Sequence, residues 1–284
     1  SVATTGYYAA AFVGVHDAGT LRFTNCTNKA SVTGNAIYAA GFMAAGGSVW
    51  LRGCMNEGSV SAYTTAGGLV GETGSNEKDT MLIVDSGNAA SVSASCKSAG
   101  GLIGGNANNV TVVIRSSYNS GSIALDASAD TSASSSCEYG VGGLVGCLYG
   151  VFIINNSYNS GTVSMTGDSG SSPAGGIIGC FKNHNDGWRY LSVAGSYNSG
   201  VVTASAQSAQ GALIGCCDSD SSDQTTEIDN TYWLDSSSKN SIGLDRTGGR
   251  LVIDNSVTKT AAELQAIAPS LGATFVAELS MTRR

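Results

Sequence analysis

Proline is almost missing from this chain of 284 residues, with only 2 present. That excludes a collagen-like or proline-rich linker architecture. Charge is sparse: Asp, Glu, Lys and Arg make up 12%, about half the usual share. Disordered chains combine high charge with low hydrophobicity, whereas hydrophobic residues here reach 42%, so disorder is excluded as the main state. Basic residues are outnumbered 14 to 21, for a net charge of -7. Duplex-binding domains are usually basic, so no nucleic-acid partner is expected. No run of 18 apolar residues occurs, so no membrane insertion is expected. The only histidines are His16 and His184, and no Cys-x-x-Cys or His-Glu-x-x-His occurs. Neither a zinc site nor a cofactor is expected.

Glycine is abundant instead, 39 residues in all, roughly twice the usual share. Much of it falls in a repeat. One motif reads Ala/Val-Gly-Gly-Leu/Ile-Val/Ile-Gly, clearest at 66–71, 99–104, 141–146 and 174–179. Degenerate copies fall at 10–14, 39–44 and 210–215. A second motif, Ser-Tyr-Asn-Ser-Gly-x-Val, is clearest at 117–123, 157–163 and 196–202, with weaker copies at 26–32, 54–60 and 86–92. The two alternate through seven units. Unequal spacing is expected where insertions fall in loops of a stacked array.

No helix-length 3.6-residue period appears before residue 235, which excludes helical repeats. Two short strands per unit fit a solenoid coil better than a four-stranded propeller blade. The expected fold is all-β: a parallel β-solenoid, or β-helix, of about seven coils over residues 1–235. Residues 236–284 form a C-terminal cap or connector with a short helix. Its signals are Thr260 and Glu263, three apart as in a capping box, an apolar face of Ala261, Leu264, Ile267 and Ala268, and Pro269 as the stop.

Stacked coils predict ladders. Val32, Val60, Val92, Ile123, Val163 and Val202 form the aliphatic one. Asn28, Asn56, Asn88, Asn119, Asn159 and Asn198 form an Asn ladder at a corner, where Asn tolerates left-handed backbone and bonds locally. Tyr118, Tyr158, Tyr197 and Tyr232 precede that position. Cys147, Cys180 and Cys216 share one offset and should stack as small buried hydrophobes. Should disulfides form instead, Cys26–Cys54 and Cys96–Cys137 are the first pairs to test.

At these residues the sequence resembles proteins carrying the GLUG motif. Gly67-Gly68-Leu69-Val70-Gly71, Gly142-Gly143-Leu144-Val145-Gly146 and their copies carry the resemblance, each followed by Ser-Tyr-Asn-Ser-Gly-Thr-Val or a variant. It covers about 80% of the chain. The first two units depart from it: Phe12-Val13 and Phe42-Met43 replace Leu-Val, and Ala44 replaces the final Gly. The resemblance implies a secreted or surface-anchored bacterial protein, extracellular and often multidomain. Such repeats occur in adhesin-like proteins and beside the catalytic part of immunoglobulin-A-cleaving metallopeptidases. It brings no catalytic residue with it. The repeat is already running by residue 10, so a fragment of a larger surface protein is expected.

Chemistry-bearing clusters are few. His16-Asp17 reads as a surface polar loop. The run from Asp218 through Asp220, Asp223 and Glu227 to Asp229 suits calcium by its oxygens but lacks EF-hand order, and reads as a solvated loop. A β-helix carbohydrate-active enzyme needs carboxylates, or a carboxylate with Arg or Lys, on adjacent coils. The repeat strands show almost no charge, and Arg52 and Arg115 share an offset but are separated by Val84. No catalytic residue is expected. The long loops at 73–80, 126–138, 182–190 and 218–229 are better placed for binding. The candidate ligand-binding loop carries His184, Trp188, Arg189 and Tyr190. The expected function is a non-catalytic structural or adhesive module, meeting host glycans or mucosal proteins. The alternatives are a glycan- or host-protein-binding module with a defined loop site, and a β-helix carbohydrate-active enzyme.

Overall fold

Leu69 and Val70 are neighbours in sequence, yet both side chains are fully buried. A straight strand cannot do this, because successive side chains point to opposite faces. The chain bends at Gly68-Leu69 and a new strand starts at Val70. The same happens at Leu102-Ile103, Leu144-Val145, Ile177-Ile178 and Leu213-Ile214, so each motif is a corner with two inward side chains. The Leu of the motif is therefore the corner residue, and the strand begins at the position after it.

The computed structural model describes residues 1–4, 6–74, 78–106, 110–129, 139–167, 172–183, 190–205, 209–219, 226–234, 240–248 and 250–267. It is a parallel β-solenoid. Each coil passes through four parallel sheets in turn, as coil 2 illustrates: Tyr38–Ala40, Met43–Arg52, Met55–Asn56, then Val60–Ala62. The first and last sheets have seven strands, the third has eight, and the long second sheet has fourteen. Sheet two has extra strands because its face is one strand in coils 1 and 2, Val13–Thr24 and Met43–Arg52, and two strands in every later coil. The sheets run past residue 235. Ile242–Arg246, Leu251–Asp254 and Thr258–Lys259 pair onto the preceding coil. The described helix, Ala261–Ile267, follows directly. Thr260 and Glu263 form the expected reciprocal cap: the Thr260 amide donates to Glu263 at 2.8 Å and the Glu263 amide to the Thr260 hydroxyl at 3.3 Å. Leu264 is buried beside the tyrosine row.

Two apolar clusters fill the tube. The larger lies within the long sheet, with Phe42, Leu69, Leu102, Phe152 and Ile177 among its residues. The narrower one sets Ala39, Ala66, Ala99, Val141 and Ala174 of the first sheet with the aliphatic ladder of the fourth. That ladder is in register from Val32 to Val202. Burying a Val or Ile this fully is worth about 1.5–3 kcal/mol, and each coil finds that burial mainly against its neighbours.

The Asn ladder is a continuous chain of side-chain hydrogen bonds. Each amide nitrogen donates to the next Asn oxygen at 2.7–2.8 Å, from Asn28 through to Asn198. It also donates to the carbonyl two residues ahead, as Asn119 does to Gly121 at 2.8 Å. The left-handed backbone expected at these Asn lies three residues earlier. Asn25, Gly53, Asp85, Ser116, Asn156, Gly195, Asn230 and Asn255 all have positive φ. The ladder Asn themselves are extended, so their side chains point inward and in line. Outside them the Tyr rings stack, Tyr118 on Tyr158 at 5.2 Å and Tyr158 on Tyr197 at 5.0 Å, with their planes nearly parallel.

The glycine pairs explain why the two motifs travel together. A methyl on the second Gly of the pair would strike the Asn ladder: Gly68 meets Asn88, Gly101 meets Asn119, Gly143 meets Asn159. A methyl on the first, such as Gly142, would overlap the Val145 carbonyl of its own corner. The Gly-Gly corner and the Asn corner are therefore two sides of one contact across the coil.

Cys147, Cys180 and Cys216 stack as expected, in register and buried beside Tyr149 and Leu244. Cys216 is disulfide-bonded. The pairs Cys26–Cys54 and Cys96–Cys137 are not formed, since Cys26, Cys54 and Cys96 are thiols. Cys26 and Cys54 point the same way on adjacent coils, and each thiol turns to a carbonyl two residues back, Thr24 at 3.3 Å and Arg52 at 3.4 Å.

Candidate functional site

Of the loop proposed for ligand contact, His184, Trp188 and Arg189 lie outside the described residues. Tyr190 opens the strand Tyr190–Ala194, half-buried, and its hydroxyl donates to Glu227 at 2.8 Å on the next coil. The connections at 74–79, 107–109, 184–189 and 220–225 all interrupt the long sheet at the same point of successive coils. In coil 5 the same break is the single residue Tyr149.

The acidic run does not gather into one site among its described members. Asp218 is buried and pairs with Arg246 at 3.7 Å, Glu227 accepts from the Tyr190 hydroxyl at 2.8 Å, and Asp229 accepts from Asn255 at 3.2 Å. Asp220 and Asp223 lie outside the described residues. Among the described residues no group of three His, Cys, Asp or Glu side chains is placed to hold a metal ion. Arg52, Val84 and Arg115 are successive rungs, so the two arginines are separated by a valine. His16 lies in a bulged strand, Val13–Thr24, rather than in a loop, and bonds the Gly19 carbonyl at 3.2 Å. The bulge lets neighbouring polar side chains face solvent while the strand continues.

A different cluster forms where the first sheet turns into the second. Ala39, Ala66 and Ala99 point into the core, so the preceding Tyr38, Thr65 and Ser98 face outward in register. Beside them runs the row Ala45, Glu72, Gly105, with Cys147 next. A third row holds Thr64, Lys97 and Tyr139, each one residue before a paired strand. Together with Tyr149 these rows enclose a recess of about 100 Å³, open on one side.

Its electrostatics are unusual for this weakly charged chain. Burial raises the Glu72 carboxyl above the usual carboxylate range, opposed by the Tyr38 hydroxyl and the Lys97 charge. Burial, and then the hydrogen bond to Glu72, raises the Tyr38 phenol. The Lys97 ammonium sits over the Tyr139 ring at 4.8 Å. The expectation of almost no charge in the repeat strands missed Glu72, which follows a motif, and Lys97, which precedes one. A signal was present: at the Glu72 offset the other units carry Val15, Ala45, Gly105 and cysteines. One charge in a column of small residues marks an opening in the surface.

A raised carboxyl pKa in the folded state favours the protonated form there. Its contribution is full below the ordinary Glu pKa and is lost as pH rises through the raised folded value. Glu72→Gln, which keeps the Tyr38 contact and removes the buried charge, should therefore raise Tm by about 2–4 °C at pH 7.5. The gain should vanish near pH 4. Paired thermal melts at the two pH values check this, and an equal shift at both would contradict it.

The class that this architecture defines is a parallel β-solenoid, with a charged recess among its described residues. No family model, curated protein or solved structure matches the chain.

Proposed function

We propose that this chain is a non-catalytic repeat module of a bacterial secreted or surface protein, a rigid stem that carries contact loops toward host glycans or mucosal proteins. The observation that carries the reading is the uniform frame: from coil 3 onward the long sheet divides at the same point of each coil, so stretches of different sequence start and end at equivalent rungs. Rigid scaffolds that carry variable loops are a recurrent design for recognition. The resemblance to GLUG-motif proteins supports the same reading.

The test is an array of host glycans and mucosal proteins, immunoglobulin A included, probed with the intact chain and with a Trp188→Ala/Tyr190→Ala variant. Selective binding that falls at least tenfold in the variant is the expected result. No selective binding by the intact chain would overturn the adhesive part of the reading and leave a spacer.

A further inference from the structure

The Glu72 recess sets two opposite charges against one small space. Glu72 and Lys97 place one group of each sign against a space of about 100 Å³. A cation entering it meets Lys97, and an anion meets the Glu72 carboxyl, so net charge on a ligand gains nothing. A neutral molecule with several hydroxyls gains from both. One O–H donates to the carboxyl, and a neighbouring oxygen accepts from the ammonium, both charge-assisted bonds. Lys97 is held ready by the Tyr139 ring, and Tyr38 holds Glu72.

Size narrows the class further. The volume is several times what one water needs, about 10–15 Å³, and well below the roughly 300–1,000 Å³ of sites for drug-sized ligands. A single sugar ring, entering partway from the open side, is the unit that fits. The space exists because Gly105 has no side chain in the Glu72 row. A methyl there would meet Thr65 Cγ2 at 3.5 Å, an ordinary contact, so glycine is not forced by the backbone. A longer side chain at 105 would fill the recess.

We propose that this recess binds one neutral sugar residue of a glycan, with Glu72 accepting from its hydroxyls, Lys97 donating to them, and Gly105 leaving the room. The proposal does not rest on the loop reading: it is lost by filling position 105, whereas that reading is lost by changing Trp188 and Tyr190.

The test uses the intact chain, isotope-labelled, titrated with the methyl glycosides of glucose, galactose, mannose and N-acetylglucosamine while the Gly105 amide resonance is followed. Glucosamine and glucuronate serve as the charged comparisons. At least one neutral glycoside is expected to give a saturable shift at Gly105 with a Kd of the order of 1 mM, as expected for a small ligand with few contacts. The charged sugars should bind at least tenfold more weakly. Glu72→Gln keeps the shape and should weaken binding about tenfold, the cost of losing one charge-assisted bond. Gly105→Leu should abolish binding, with folding confirmed by an unchanged circular dichroism spectrum. Were Gly105→Leu to perturb the fold, Glu72→Gln alone would decide. No saturable shift up to about 50 mM, a preference for a charged sugar, or undiminished binding by Glu72→Gln would overturn the proposal.

Discussion

Asn119→Ala is expected to cost about 3 kcal/mol or more, although it removes one small polar side chain. Asn119 accepts from Asn88 at 2.7 Å and donates to Asn159 at 2.7 Å and to the Gly121 carbonyl at 2.8 Å, with all three Asn fully buried. Alanine satisfies none of these. The Asn159 oxygen and the Gly121 carbonyl each lose a donor in a place where water is excluded, at ~1–3 kcal/mol per group. The chain of amides is also polarised along its length, so a break in the middle coil weakens the bonds on either side. For a chain of this size the shift corresponds to a fall in Tm of roughly 6–12 °C. Asn119→Asp should be worse at neutral pH. Its carboxylate still accepts from Asn88 but faces the Asn159 oxygen with no proton to give, and it buries a charge. Part of that loss should return at acid pH, when the carboxyl is protonated and regains a donor. Thermal melts of both variants at pH 4 and 7.5 check the order, and a Tm change for Asn119→Ala below about 2 °C would show that the ladder contributes little.

Gly101→Ala should be the more damaging still, while Gly105→Ala, four residues on, should be nearly neutral. At Gly101 a methyl would overlap the Gly143 carbonyl of the next coil and the Asn119 side chain. Backbone atoms of a stacked coil cannot yield without separating the rungs, so the loss should exceed about 4 kcal/mol, in the range that marks a disrupted core. At Gly105 the nearest atoms are Thr65 Cγ2 at 3.5 Å and Ser98 Cβ at 4.0 Å. Alanine fits there, and its lower entropy in the unfolded chain favours folding by about 0.4–1 kcal/mol. Equilibrium denaturation of the two variants checks the contrast. Equal effects would mean that spacing between the coils is not what holds the Gly pairs in place.

Much of the fold is legible in the sequence, and the reason is repetition. The spacing of Val32, Val60, Val92, Ile123, Val163 and Val202 fixes which residues stack, because a parallel coil can only bring like positions together. The same logic placed the Asn, Tyr and Cys rows, and the Thr260–Glu263 pair marked the helix start through a purely local contact. Local geometry was less legible. The left-handed corner was read at the Asn ladder, because Asn tolerates it, but the residues that adopt it are as different as Asp85, Ser116 and Gly195. Seven of the eight are Asn, Asp or Gly, the types that tolerate this backbone, but their place three residues before the ladder is what the residue type alone did not give.

The candidate site was the least legible part. The described residues of the acidic run point to separate partners, and Tyr190 turned out to be held by Glu227 across a rung. Glu72 and Lys97 are 25 positions apart in sequence, and the lone charge in the Glu72 column does not show that the two meet. They meet because Glu72 stands at the end of one corner, Lys97 at the start of the next, and the step between coils is one strand spacing of about 4.8 Å. The sequence by itself determined the coil, its stacking register and the residues that line its core, since these follow from periodicity. Only the tertiary structure decided that the Gly-Gly corner is shaped to the Asn ladder, that the long sheet divides at the same point of each later coil, and that a missing side chain at Gly105 opens a recess beside Glu72 and Lys97. Those are contacts between different offsets of the repeat, and their distances are set by how the coil bends in cross-section, which no one-dimensional period contains.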